Sequence, residues 1–227
     1  MTDRIVFILA AGKGSRWLGD GVGEWPTIPK QLLTIGGEYL IERTVHMVNE
    51  RGYIPVVVTH NPLIRSALED VAVEVEFLNP VGRRWLIESL QSTHQYWHAQ
   101  NVVLWSDVIY SPAVLDAMLT DDSSIKFYGK WGDGCGLVWR KDDPRIVDGI
   151  AAVIAHAEAN DPRIDKYSVG RSWELYRWYQ GWSLDVHVGP NEHNEYYYRV
   201  PDSDYTRDID KPADWHAAQR ELLGVTL

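Results

Sequence analysis

The stretch that most constrains this chain is Ile5-Val6-Phe7-Ile8-Leu9, followed at once by Ala10-Ala11-Gly12-Lys13-Gly14-Ser15-Arg16. Five apolar residues with no polar break read as a parallel strand buried on both faces. At Ala10, Ala11, Gly12 and Gly14 the side chain is a methyl group or absent, so a ligand can approach the main chain and its N–H groups can surround an anion. Arg16 adds a planar cationic fork, and Lys30, within Pro29-Lys30-Gln31-Leu32, a mobile point charge. Alone, Gly-x-Gly after a strand is as readily a tight turn as a phosphate site, and the pattern is neither a Walker A loop nor a dinucleotide fingerprint. With two cations beside it, the loop suits a polyphosphate.

That anion site must be local, because the net charge is −10. A general nucleic-acid binder draws its affinity from clustered Lys and Arg, so nucleic acid is not an expected partner. At 227 residues the chain has room for one α/β domain with a full core, read here as residues 1–227. A single cysteine, Cys135, permits no internal disulfide and reads as a small buried hydrophobe in a reducing compartment. No apolar run approaches a membrane span, and Met1-Thr2-Asp3-Arg4 leads directly into the first strand. The expectation is a soluble, cytoplasmic protein that does not use a membrane.

Strand and helix signals alternate along the chain, which predicts a doubly wound α/β fold. The segment from Trp17 to Ile28, with Gly19-Asp20-Gly21 and Trp25-Pro26, reads as a surface flap that could be a passive loop or a lid. A helix is predicted over 38–50, a strand over 54–59, a helix over 62–69 and a half-buried, edge-like strand over 73–77. A loop at 79–84 leads to a helix over 85–98, and a buried strand spans 101–107. Ser111-Pro112 opens another helix, strands follow over 124–128 and 134–139, and a helix covers 144–159. Between Asp161 and Asn194 the pattern is irregular and dense in aromatics, among them Trp173, Tyr176, Trp178, Tyr179 and Trp182. The chain has 11 Trp and 12 Tyr against 3 Phe, a balance favouring rings with a polar edge near water or ligand.

Three carboxylates stand out by position. Asp107 ends a central strand, where open α/β sheets place ligand chemistry, and Ser111 is the better cap for the helix that follows. Asp208 and Asp210 are spaced to project on one side of an extended segment and reach one cation. Equally, Asp210 could cap the helix that begins at Pro212 and runs to about Leu223.

Leu9 to Arg16, followed downstream by Pro29-Lys30-Gln31-Leu32-Leu33-Thr34-Ile35-Gly36-Gly37-Glu38-Tyr39-Leu40-Ile41-Glu42-Arg43-Thr44, closely resembles the signature of the nucleoside-triphosphate transferase family. That family includes sugar-1-phosphate nucleotidyltransferases and cytidylyltransferases. The resemblance implies a mostly parallel mixed sheet of glycosyltransferase-A type. It also implies a reaction in which a nucleoside triphosphate and a phosphorylated sugar or alcohol give a nucleoside-diphosphate product and pyrophosphate. Asn79 with Glu88-Ser89-Leu90 resembles the pattern that holds base and ribose. Val103 to Val108 resembles the family strand ending in Gly-Asp, whose aspartate binds catalytic magnesium; Ser106 replaces the glycine and narrows the room beside the metal. Tyr205 to Trp215 resembles the closing acidic motif, with Lys211 where threonine is common.

Carried onto this chain, the resemblance gives the nucleotide Ala10, Ala11, Gly12, Lys13, Gly14 and Ser15, with the main-chain N–H groups of Ala11 to Ser15 on the triphosphate, and Asn79 and Ser89. Arg16 would neutralise departing pyrophosphate and Lys30 would sit at the α-phosphate. Asp107 with Asp210, and Asp208 as a further candidate, would hold Mg²⁺. The aromatic segment would receive the second substrate. A glycosyltransferase of the same architecture and a non-catalytic nucleotide-binding domain stay open, as does a homo-oligomer.

Overall fold

A computed structural model of the chain describes residues 3–11, 28–71, 73–80, 85–130, 133–160, 172–185 and 193–224. The sequence readings at Gly12 to Arg16, at the flap from Trp17, at 81–84 of the predicted loop, and at 161–171 lie outside the described residues. In chain order come β1 (Arg4–Leu9), a 3-10 turn (Lys30–Leu32), β2 (Thr34–Ile35), β3 (Glu38–Tyr39), α1 (Leu40–Asn49), β4 (Val56–Val58), α2 (Pro62–Glu69), β5 (Glu76–Leu78) and α3 (Leu86–Gln91). A second 3-10 turn (His94–Tyr96) precedes β6 (Gln100–Trp105), β7 (Val108–Ile109), α4 (Pro112–Thr120), β8 (Ile125–Lys130), β9 (Asp133–Arg140) and α5 (Arg145–Ala159). The chain closes with α6 (Ser172–Tyr179), β10 (Tyr197–Arg199), β11 (Arg207–Asp208) and α7 (Pro212–Leu223).

The uninterrupted apolar run of β1 puts it inside the sheet, with Phe7 and Ile8 fully buried. Seven strands pair in the order β10-β8-β9-β6-β1-β4-β5. β1 runs parallel to β6 from Arg4↔Gln100 to Leu9↔Trp105, and parallel to β4 from Phe7↔Val56 to Leu9↔Val58. β5 and β10 add parallel pairings at the two edges, while β9 runs antiparallel to both β6 and β8. The mostly parallel, mixed α/β sheet is the fold class expected. Because β1, β4, β5 and β6 point the same way, their carboxyl ends share one edge of the sheet, where a ligand is expected.

Helix ends follow local chemistry. Asn61 Oδ1 accepts from Leu63 N at 2.9 Å with Pro62 starting α2, and Ser111 Oγ accepts from Val114 N at 3.1 Å with Pro112 starting α4. Gly224, at φ +63°, closes α7 in the left-handed region.

Several predicted boundaries move. The helix expected from residue 38 starts at Leu40, because Gly36 and Gly37 (φ +66° and +89°) fold β2 back on β3. The helix expected over 85–98 stops at Gln91: Ser92 Oγ donates to Glu88 O at 2.9 Å and Thr93 Oγ1 to Leu90 O at 2.7 Å, hydroxyls competing with the backbone for its own acceptors. β6 ends at Trp105, so Ser106 and Asp107 form a turn instead of a strand end. The strand read over 73–77 sits at Glu76–Leu78, on the sheet edge as expected. Cys135 is buried in the main core.

Candidate functional site

Ala10 marks where the β1 ladder stops. Its N–H donates to Val58 O at 2.9 Å, and Thr59 Oγ1 donates to its carbonyl at 3.0 Å. Amide donors for a ligand therefore begin no earlier than Ala11, and what Ala10 offers is a small side chain.

The two distant acidic motifs are stitched together by backbone. β11 pairs antiparallel with β7, Asp208 opposite Val108 and Arg207 opposite Ile109, and Ile209 N donates to Asp107 O at 2.9 Å. Ile209 is fully buried in a second small core with Leu33, Ile35, Leu40, Ile109 and Ala218. Burying this one isoleucine contributes roughly 1.5–3 kcal/mol to holding the segment down. As a result one carboxylate oxygen from each of Asp107, Asp208 and Asp210 lies within 4.8 Å of the others. Asp210 does not cap α7: Lys211 holds the N-cap position, and Asp214 Oδ2 accepts from Asp210 N at 3.1 Å and Lys211 N at 2.8 Å.

Lys30 enters this cluster from the 3-10 turn after Pro29. Its Nζ is 2.5 Å from Asp107 Oδ2 and 3.3 Å from Asp210 Oδ1, and it donates to Ile209 O at 3.0 Å. The mobile point charge expected from the sequence is instead buried and held by three oxygens, with 7% of the side chain exposed. Burial pulls its pKa down, but Asp107, Asp208 and Asp210 together outweigh that and leave it above the ordinary lysine value.

Two positions beside the cluster carry little sequence signal. Gln31 Nε2 donates to Ser106 Oγ at 3.3 Å, with both residues buried, so the serine that replaces a glycine also ties the Lys30 turn to the Asp107 turn. The ladder between β6 and β9 ends at Leu104↔Gly136, and there the Tyr110 hydroxyl takes over. It accepts from Trp105 N at 2.8 Å and donates to Cys135 O at 2.5 Å. Burial in particular raises its pKa well above the usual phenol value.

Asn79 stands exposed at the end of β5, with Oδ1 accepting from Arg65 Nη2 at 3.0 Å. Ser89, which the resemblance assigns to the nucleotide, is buried on α3. Neither is among the partners that converge on Lys30.

The family model of the MobA-like NTP transferase domain matches residues 6–122, just over half of the chain. The chain belongs to that family. Solved structures of similar fold include a nucleotidyl transferase from Methanothermobacter, 20% identical over 100% of both chains with a TM-score of 0.67. A CTP:phosphocholine cytidylyltransferase from Streptococcus pneumoniae is 16% identical over 97% of this chain and 99% of that one, TM-score 0.56. The inositol-1-phosphate CTP transferase from T. maritima is 15% identical over 99% and 98%, TM-score 0.56. No curated protein sequence matches the chain.

Beyond residue 122, where the NTP transferase match ends, the aromatic segment is largely core. Tyr176 is fully buried and meets Phe127, Trp173 and Tyr197 edge-on, with ring centroids 5.4, 6.2 and 6.1 Å away. Trp173 lies beside Gly134 and the end of β6: a Cβ on Gly134 would lie 3.3 Å from Trp173 Cζ2 and 3.1 Å from Trp105 Nε1. A second trio of metal-capable side chains, Glu38, Glu42 and His46, also has ligand atoms within 4.8 Å of one another. It lies on β3 and α1, where Glu38 Oε1 contacts His46 Nδ1 and Glu42 Oε2 accepts from Tyr39 N at 3.1 Å.

Proposed function

We propose that this chain is a magnesium-dependent nucleotidyltransferase, one domain over residues 1–227, acting in the cytoplasm on a nucleoside triphosphate and a phosphorylated sugar or alcohol. The observation that carries the reading is the meeting of Lys30 with Asp107, Asp208 and Asp210 at the edge of the sheet where β1 ends. Three converging carboxylate oxygens are the donor set of a hard divalent cation. When bound, such an ion neutralises phosphate charge and aligns the reacting groups.

In this reading an oxygen of the acceptor phosphate attacks the α-phosphorus in line, the α–β bridging bond breaks, and pyrophosphate departs with the electron pair. No side chain is a covalent nucleophile; the residues supply position and charge. Ala11 to Ser15 direct amide N–H groups at the triphosphate, with Ala10 leaving room for it. Arg16 balances charge on the departing pyrophosphate and Lys30 balances charge at the α-phosphate. Asn79 and Ser89 hold base and ribose, and Trp105 and Trp173 border the acceptor. The solved neighbours named for phosphocholine and inositol phosphate support an alcohol phosphate as readily as a sugar phosphate.

The test is a screen of the four common triphosphates against sugar phosphates and alcohol phosphates with Mg²⁺, following pyrophosphate. One pair should release it, and added pyrophosphate should drive the reverse reaction. If no pair does, and diphosphate sugars bind better than every triphosphate, a glycosyltransferase takes the place of this reading.

A further inference from the structure

Lys30 poses a question that a role on phosphate does not answer. Its ammonium lies among the oxygens a divalent cation would need, 2.5 Å from Asp107 Oδ2 and 3.3 Å from Asp210 Oδ1. A magnesium ion sits about 2.0–2.1 Å from each oxygen ligand, so it and the ammonium could not both use Asp107 Oδ2 without two cations meeting within roughly 4.6 Å. That repulsion is strong in a partly buried site, where screening by water is reduced. The Lys30 stem has four flexible methylenes, so the ammonium can leave while the 3-10 turn stays in place.

We propose that Lys30 is a built-in counter-ion that keeps the site of Asp107, Asp208 and Asp210 closed to free divalent cations until a triphosphate draws its ammonium away. The inference rests on the metal reading of the preceding subsection and adds an order of events to it. Without substrate, three carboxylates and one ammonium carry a formal charge of −2, against −3 for the carboxylates alone. A triphosphate offers Lys30 a second set of anionic oxygens, and only then are the carboxylates released. Metal and nucleotide thus enter as one unit. The Lys30 ammonium is exchanged between two anions and is never left buried and unpaired, the costly alternative.

The test uses Mn²⁺ alone as the probe, without nucleotide, with free Mn²⁺ followed by electron paramagnetic resonance. Wild type, Lys30→Met, Lys30→Gln and the double variant Lys30→Met with Asp107→Asn are compared, with circular dichroism as the fold check. Wild type should bind weakly, Lys30→Met and Lys30→Gln at least about tenfold more tightly, and the double variant should lose the gain. A Lys30→Met protein that folds only when Mn²⁺ is added supports the proposal equally, and Lys30→Gln, which keeps an amide donor, then supplies the affinity. Wild type and both single variants binding Mn²⁺ with equal affinity would overturn the counter-ion while leaving the metal site standing. No binding to any folded variant would overturn the metal reading and the inference with it.

Discussion

Among the described residues two trios have the side chains to hold a cation, and they are built differently. Glu42 and His46 share one face of α1 with Glu38 just ahead of it, so their proximity follows from helical spacing alone. Asp107 comes from the middle of the chain and Asp208 and Asp210 from near its end, and they meet only because β7 pairs with β11 and Ile209 is buried. The first trio is a half-exposed surface group whose charges answer one another, with Arg43 3.9 Å from Glu38. The second already contains a buried ammonium. Nearness of carboxylates is cheap on a helix; nearness maintained by long-range pairing and a buried lysine requires the whole fold.

The sharpest way to break this contrast is to neutralise one member of each trio. Asp107→Asn and Asp210→Asn should each bring pyrophosphate release to background with any Mg²⁺ concentration, and Asp208→Asn should be milder. Glu42→Gln should leave release unchanged. Normal magnesium dependence in Asp107→Asn would remove that residue from the site.

Lys30→Ala should lower turnover by about 10²–10³, the usual cost of one lost charge contact to a transition state. Sequence alone suggests that folding would be spared. Burial of Lys30 among carboxylates predicts otherwise, a loss of roughly 3–5 kcal/mol in metal-free buffer by urea unfolding. The pH dependence gives this a sign. The folded pKa of Lys30 is raised above the ordinary 10.5, so its contribution is fully present below that value and is lost as pH rises through the folded one. The stability gap between wild type and Lys30→Ala should hold constant from neutral pH to about 10 and close above it; a gap that closes near neutrality would mean that the ammonium is not what stabilises. The smallest effect belongs to the other trio: His46→Ala should change stability by no more than about 1 kcal/mol, as exposed ion pairs do, and turnover not at all.

Much of this was legible because it is local. The run Ile5 to Leu9 names a doubly buried strand, and Ser111-Pro112 and Pro212…Gly224 mark their helices by caps whose chemistry needs only neighbours in sequence. What was not legible depends on partners far along the chain. Nothing near Lys30 says that it is buried, since its partners lie about 77 and 180 residues away. Gln31 carries no signal of its own in the sequence until Ser106 is placed opposite it. The helix expected through His98 failed for a subtler reason, two hydroxyls in succession turning back on the main chain. The Trp and Tyr of 173–179 gave no period that separates a packed face from a ligand face, and most proved to be packing.

The Tyr110 hydroxyl has a consequence for measurement. It spans the point where β6 and β9 part, and so fixes how far the Ser106-Asp107 turn stands off from Cys135. Held neutral well beyond the usual phenol range, it is a hinge pin that does not titrate in any buffer an assay would use. A rate profile against pH therefore carries no contribution from this phenol, and the frame that spaces the site keeps a constant gauge across it.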